Sequence, residues 1–194
     1  MEPMKDRFGT EILWPADQLA AMPHVTESNK VISDICEWKE QLKMPELLEN
    51  CSDPALWEPF KEKAQEIRES GKLFMAFMPT GVFERLHFLM GLEDMLMNFL
   101  LEPEDMMDLC NAIGEYRYQY MKLIVDNLHP DVMLSHDDWG SKNQLFVSPE
   151  TWREFIKPQY AKNLWIYERK RSHHHPSWGF LYGTCRRGYG GAWR

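Results

Sequence analysis

Apolar and polar positions change period along this chain, and the changes mark its elements. Asp53 and Pro54 form an N-cap and N1 pair. Leu56, Phe60, Ala64 and Ile67 then share one helical face, and Gly71 follows as a stop. The run Lys72–Met78 is short and apolar and ends at Pro79-Thr80-Gly81, which predicts a buried strand leaving into a loop. Two short helices are predicted over Phe83–Gly91 and Glu93–Leu101, divided by Gly91. Pro103 opens a long helix from about Glu104 to Leu128, with Met107, Cys110, Ile113, Tyr120 and Ile124 roughly on one side. After His129-Pro130, Asp131–His136 reads as a second strand, and Ser148-Pro149 caps a helix carrying Trp152, Phe155 and Ile156. Phe8–Trp14 suits a short strand or hairpin arm, and Asp34–Lys43 a helix. No internal repeat is visible.

Two strands joined through long helical crossovers should be parallel, which predicts an α/β sheet or barrel. Ligands of such folds bind beyond the carboxyl ends of the strands. Both predicted strands end in unusual loops there. The second, Ser135 to Lys142, gathers His136, Asp137, Asp138, Trp139 and Lys142 within a few residues. Adjacent carboxylates resist double ionisation, so one of the pair can exchange a proton, or the two can hold a cation or ligand donors. The alternative is structural: an aspartate caps the next segment while Trp139 packs on the rim. The methionines suggest a methionine-rich core, and His87, among Leu86, Phe88 and Leu89, suits a partly buried, satisfied histidine.

Composition narrows the classes. The chain has 194 residues, 44% apolar and 27% charged, enough for a packed core in one domain or a piece of one. No apolar run spans a bilayer, and the start lacks a signal-peptide core. Cys36, Cys51, Cys110 and Cys185 lie far apart without a C-x-x-C, which suggests reduced thiols and a cytoplasmic setting. The net charge of −8 argues against nucleic acid as partner of the whole chain.

The charge is uneven. Residues 163–194 hold six basic residues and one acid, a balance of +5; subtracting that from −8 leaves −13 for residues 1–162. After about Arg171 the tail shows no helical or strand period. It is expected to be the product of a shifted reading frame at Lys162-Asn163. With AAA AAT as codons, removing one A (and choosing the degenerate bases) yields a helix, a Gly stop, a β-branched strand, an H-H-G-D loop and a second helix. A basic RNA-binding arm around Arg186-Arg187-Gly188 is the competing account. His173-His174-His175 with Cys185 is a poor metal set, because a contiguous triplet does not share one helical face.

Residues 131–160, DVMLSHDDWGSKNQLFVSPETWREFIKPQY, resemble the uroporphyrinogen decarboxylase superfamily: a strand, a polar loop, and a Ser-Pro-capped helix ending in F-x-x-P-x-Y at Phe155–Tyr160. Residues 72–110 resemble its strand, turn and two-helix pattern, and FGTEILWP and MPHVTE fit the same group. The resemblance covers about residues 6–162, and the DDWG form is most similar to the branch near corrinoid methyltransferases. It implies a partial (β/α)8 barrel of the uroporphyrinogen decarboxylase type, because that barrel needs roughly 300 residues.

The activity implied is decarboxylation of tetrapyrrole acetate groups, as in porphyrin biosynthesis, without a cofactor, and impaired in an incomplete barrel. A carboxylate would stabilise a protonated pyrrole. His136, Asp137 and Asp138 are the implied catalytic residues. Met78, Thr80, Gly81, Arg85, Trp139 and Lys142 are the implied substrate-binding ones, with no metal. The first alternative is a methyltransferase using zinc and a corrinoid protein; the second is an inactive fragment. A small-molecule substrate is expected, tetrapyrrole or methyl donor, with neither nucleic acid nor membrane and with a homo-oligomer allowed by unpaired edges.

Overall fold

The computed structural model describes residues 4–14, 22–47, 51–141, 144–162 and 179–183. Three short antiparallel strands come first: β1 (Met4–Lys5), β2 (Glu11–Leu13) and β3 (Met22–Pro23). Asp6 closes the β1–β2 turn, its Oδ1 accepting from the N–H groups of Phe8 and Thr10 at 2.9 Å each. Gly9 takes a left-handed φ of +88° in that turn, where a side chain would be strained. Asp34 then caps a 3-10 turn, Ile35–Glu37, which runs into α1 (Trp38–Gln41).

Asp53 accepts from the Ala55 N–H and opens a 3-10 turn, Pro54–Trp57, followed by α2 (Glu58–Glu69). The apolar face expected here is only partly used. Ala64 is buried, whereas Leu56 and Phe60 are 52% and 60% exposed. The C-terminal half of α2 is the half tied down, because Arg68 donates to the carbonyls of Leu128 and His129.

The remaining elements are β4 (Met75–Met78), α3 (Val82–Met90), α4 (Leu92–Leu101), α5 (Pro103–Leu128), β5 (Val132–His136), α6 (Pro149–Thr151) and β6 (Gly179–Gly183). A π-helical turn, Trp152–Ile156, extends α6, and residues 157–162 continue it as a helix. Ser148 caps α6 by accepting from the Thr151 N–H. Gly91 separates α3 from α4 at φ +86°.

The second sheet runs β4-β5-β6, all parallel, with Met78 opposite Ser135 and His136 opposite Gly183. The chain is therefore mixed α/β with a parallel sheet. Among the described residues the two sheets stay separate and open, and no barrel closes. Strand β6 lies inside the tail expected to be unpatterned. GFLYG is short and apolar enough to pair with β5, and a five-residue run is too brief to show a period. The other residues of 163–194, including His173–His175 and Cys185, lie outside the described residues. No helix among the described residues is long and apolar enough to cross a membrane.

Helix α5 joins two cores. Its first half gives Met106, Leu109, Cys110 and Ile113 to a cluster with α3, α4 and the C-terminal helix. Its second half gives Met121, Ile124, Val125 and Leu128 to a smaller cluster under the sheet, with Ala76, Met78 and Met133. The sheet is covered on that side. On the other side of β4, Met75 and Phe77 are 49% and 52% exposed. The expected fully buried strand is thus half-covered, alternating exposed and buried along its length. In the parallel register Met75 and Phe77 lie beside Val132 and Leu134, and His136 ends the same face.

Candidate functional site at the carboxyl end of the parallel sheet

Strands β4 and β5 release their loops side by side, and the two loops interlock. Gly81 is the N-cap of α3 and has no side chain to cap it. The cap arrives from the other loop. Asp137 Oδ1 accepts from the Glu84 N–H at 2.8 Å, and Oδ2 accepts from the Phe83 N–H at 3.1 Å. The Val82 N–H donates to Tyr160 Oη at 3.2 Å. Three N–H groups that α3 leaves without intrahelical partners are thereby satisfied by tertiary neighbours. Asp137 Oδ2 also accepts from Trp139 Nε1 at 2.6 Å and from the Tyr160 hydroxyl at 2.5 Å. Gly81 is required for this approach: a Cβ there would sit 1.9 Å from Asp137 Cγ.

Burial raises the Asp137 carboxyl above its ordinary range, while donors from Tyr160, Glu84 and Trp139 pull it back. Burial and the neighbouring Asp137 charge hold the Tyr160 phenol well above its usual value. Trp139 packs edge-on against Trp152 and Tyr160, with centroids 4.9 and 5.5 Å apart.

Arg117, in the middle of α5, ties the loops together from below. It is buried, and its guanidinium donates to the carbonyls of Pro79 and Thr80 and to Ser135 Oγ at 2.9 Å. Thr80 is held with φ +56°, a conformation a branched residue rarely adopts.

The solvent-facing part is smaller. His136 Nδ1 lies 3.1 Å from Glu84 Oε2, and the imidazole is 45% exposed while Glu84 is mostly covered. Glu84 Oε2 also accepts from the Gly81 N–H at 3.1 Å. Asp138 is exposed and accepts weakly from the Gly140 N–H at 3.3 Å. A histidine with a carboxylate on one ring nitrogen keeps the other free to exchange a proton with a ligand.

The residues singled out from sequence therefore divide. His136, Asp138 and half-buried Thr80 reach the surface at the strand ends. Asp137 is spent on a cap, but of α3, which precedes it in the chain, and not of the next segment as the structural alternative had it. Met78, Gly81 and Trp139 are buried. Arg85 turns to the N-terminal hairpin, pairing with Asp6 at 2.5 Å and lying over the Phe8 ring. Lys142 lies outside the described residues. Glu84, Arg117 and Tyr160 were not expected as site residues. Arg117 did leave a signal: a cation four residues from both Ile113 and Met121, inside the apolar stripe of its helix.

His87 is mostly buried beside the pair, its ring edge-on to Phe83 and Phe88. Burial lowers its pKa below the usual 6.5, against the charges of Glu84 and Asp138. Folding thus favours the neutral ring. That stability is full above the unfolded pKa and is lost as pH falls through the lower folded one. Between roughly pH 7 and pH 5, the urea midpoint is expected to drop less in His87→Gln than in the parent chain. Equal drops would remove His87 from the acid response.

Among the described residues one set of three potential metal ligands converges: Cys36, Glu102 and Asp105, with ligand atoms within 4.8 Å of one another. It lies at the start of α5, about 18 Å along the helix from Arg117 at 1.5 Å per residue, and shares no residue with the strand-end site. No protein-family model, curated protein or solved structure matches the chain.

Proposed function

We propose that the chain forms part of a uroporphyrinogen decarboxylase-like barrel whose proton-exchanging group is His136, held by Glu84. The His136–Glu84 pair carries this reading: a half-exposed imidazole, 3.1 Å from a mostly covered carboxylate, at the carboxyl end of a parallel sheet. His136 also ends the sheet face on which Met75 and Phe77 stand exposed. That face has the position and apolar lining of a barrel interior, which further strands would enclose.

The chemistry suits a pyrrole acetate. A proton delivered to the ring carbon next to the one bearing the acetate arm makes a cationic electron sink, with charge on the carbon that carries the arm. The bond to the carboxylate then breaks, its electron pair enters the ring system, and carbon dioxide leaves. A second proton reaches the exocyclic carbon, and the ring carbon returns its proton to the base. His136 exchanges these protons, and the Asp138 carboxylate offsets the charge on the protonated ring. Asp137 positions both through the cap and does not touch the substrate.

An incomplete barrel leaves this face open to water, so the chain alone should turn over uroporphyrinogen far more slowly than an enclosed site. The test is anaerobic turnover by the full chain, with His136→Gln and Glu84→Gln beside it. Residual decarboxylation is expected to fall by about 10²-fold or more in His136→Gln, and less in Glu84→Gln. Where turnover is below detection, the His136 imidazole resonance should shift on adding uroporphyrinogen. An unchanged rate in His136→Gln, or no shift, would overturn the assignment.

A further inference from the structure

We propose that the cleft between the N-terminal hairpin and the segment after α1 binds a small multivalent oxyanion, carrying phosphate or carboxylate groups. The cleft has a volume of about 850 Å³, within the range of small-molecule sites. Lys5, Arg7, Lys30 and Lys43 line it, against two carboxylates, Asp6 and Glu46. Four cations around one cleft are unexpected in a chain of net charge −8.

The carboxylates are outnumbered two to one. Asp6 accepts from two backbone N–H groups of its own turn and pairs with Arg85 outside the lining. Glu46 is also partnered. Lys30 is the anchored cation: its side chain is buried, and Asp94 and Glu27 bind it at 2.5 and 2.8 Å. Those two hydrogen bonds raise its pKa and keep it charged. Lys5, Arg7 and Lys43 make no salt bridge with any described residue and are exposed. Three exposed cations therefore line one concave space.

Each comes from a different piece of backbone: strand β1, the turn closed by Asp6, and the stretch following α1. Phe8 in the core and Gly9 at positive φ hold that turn in place. The fork of Arg7 can grip an oxyanion through two parallel hydrogen bonds, while the lysines act as point charges. A single negative charge leaves the cleft cationic, so the ligand carries at least two.

The experiment titrates inorganic pyrophosphate, and separately citrate, into the full chain by calorimetry at low and physiological salt. Saturable one-to-one binding that weakens with salt is expected. The triple substitution Lys5→Gln, Arg7→Gln and Lys43→Gln is expected to weaken it by about tenfold or more. All three side chains are exposed, and an unchanged melting curve will establish that the variant folds. His136→Gln should leave the affinity unchanged, which separates this cleft from the strand-end site. Preference for pyrophosphate identifies a phosphate ligand, preference for citrate a polycarboxylate. Equal affinity of parent and triple variant, or no saturable binding of either anion at low salt, would overturn the proposal.

Discussion

Asp137→Ala is expected to unfold the chain or bring it close to unfolding. The substitution removes the acceptor shared by four donors: the N–H groups of Phe83 and Glu84, Trp139 Nε1 and the Tyr160 hydroxyl. Each buried donor left unsatisfied costs about 1–3 kcal/mol, and loss of an N-cap alone about 1 kcal/mol. The terms are not additive, and a loss of at least ~4 kcal/mol is expected. That is a large share of the ~5–15 kcal/mol by which domains are usually stable. Asp137→Asn keeps one oxygen acceptor but aims an NH₂ at neighbours that are themselves donors, so about half the loss is expected. Gly81→Ala attacks the same contact from the other loop, because its Cβ would overlap the Asp137 carboxyl group. Urea unfolding followed by tryptophan fluorescence measures all three. An Asp137→Ala variant within about 1 kcal/mol of the parent chain would show that the cap does not hold the loops together.

Arg117→Met carries the second largest expected effect. The guanidinium is buried, lies 5.9 Å from the Tyr160 ring, and bonds the loop after β4 and Ser135 near the end of β5. Methionine keeps much of the length and volume but removes every donor. The carbonyls of Pro79 and Thr80 then lose their shared partner, and the left-handed Thr80 turn loses the contact that holds it. Removing one side of a buried charged network costs about 2–4 kcal/mol here, reduced because the arginine no longer has to be desolvated. Lysine is no substitute, since it cannot reach two loops with a planar fork. The expected readouts are a lower urea midpoint, faster proteolysis near residues 79–81, and a shifted His136 imidazole resonance. Full stability with an unmoved His136 signal would refute the role given to Arg117.

Together these effects describe a site whose exposed chemistry rests on buried polar groups. His136 and Glu84 face each other because Glu84 is the third residue of α3, and Asp137 and Tyr160 fix where that helix begins. The half-exposed His136 can therefore change with little effect on stability, whereas Glu84 also holds the Gly81 N–H at the start of α3. The residues beneath the pair cannot change without moving it.

The local elements were legible because their signals are local. Asp34, Asp53 and Ser148 cap the elements they precede, Gly91 divides two helices, and the long amphipathic period became α5. The parallel pairing of β4 and β5 also matches the expectation from the long helical crossover that joins them. Tertiary packing decided the rest. Sequence placed His136, Asp137 and Asp138 side by side with equal claims, but the strand's alternation turned Asp137 inward and left its neighbours outward. Three of the four donors that hold Asp137, from Phe83, Glu84 and Tyr160, lie 23 to 54 residues away, beyond any local pattern; only Trp139 is a near neighbour. KLFMAFM read as fully buried because an apolar run carries no record of whether its second face is covered; only the packing shows Met75 and Phe77 uncovered. Caps and period thus marked most helices and the strands β4 and β5, while long-range hydrogen bonds into one helix N-terminus decided which polar residues are buried in structural roles and which reach the surface.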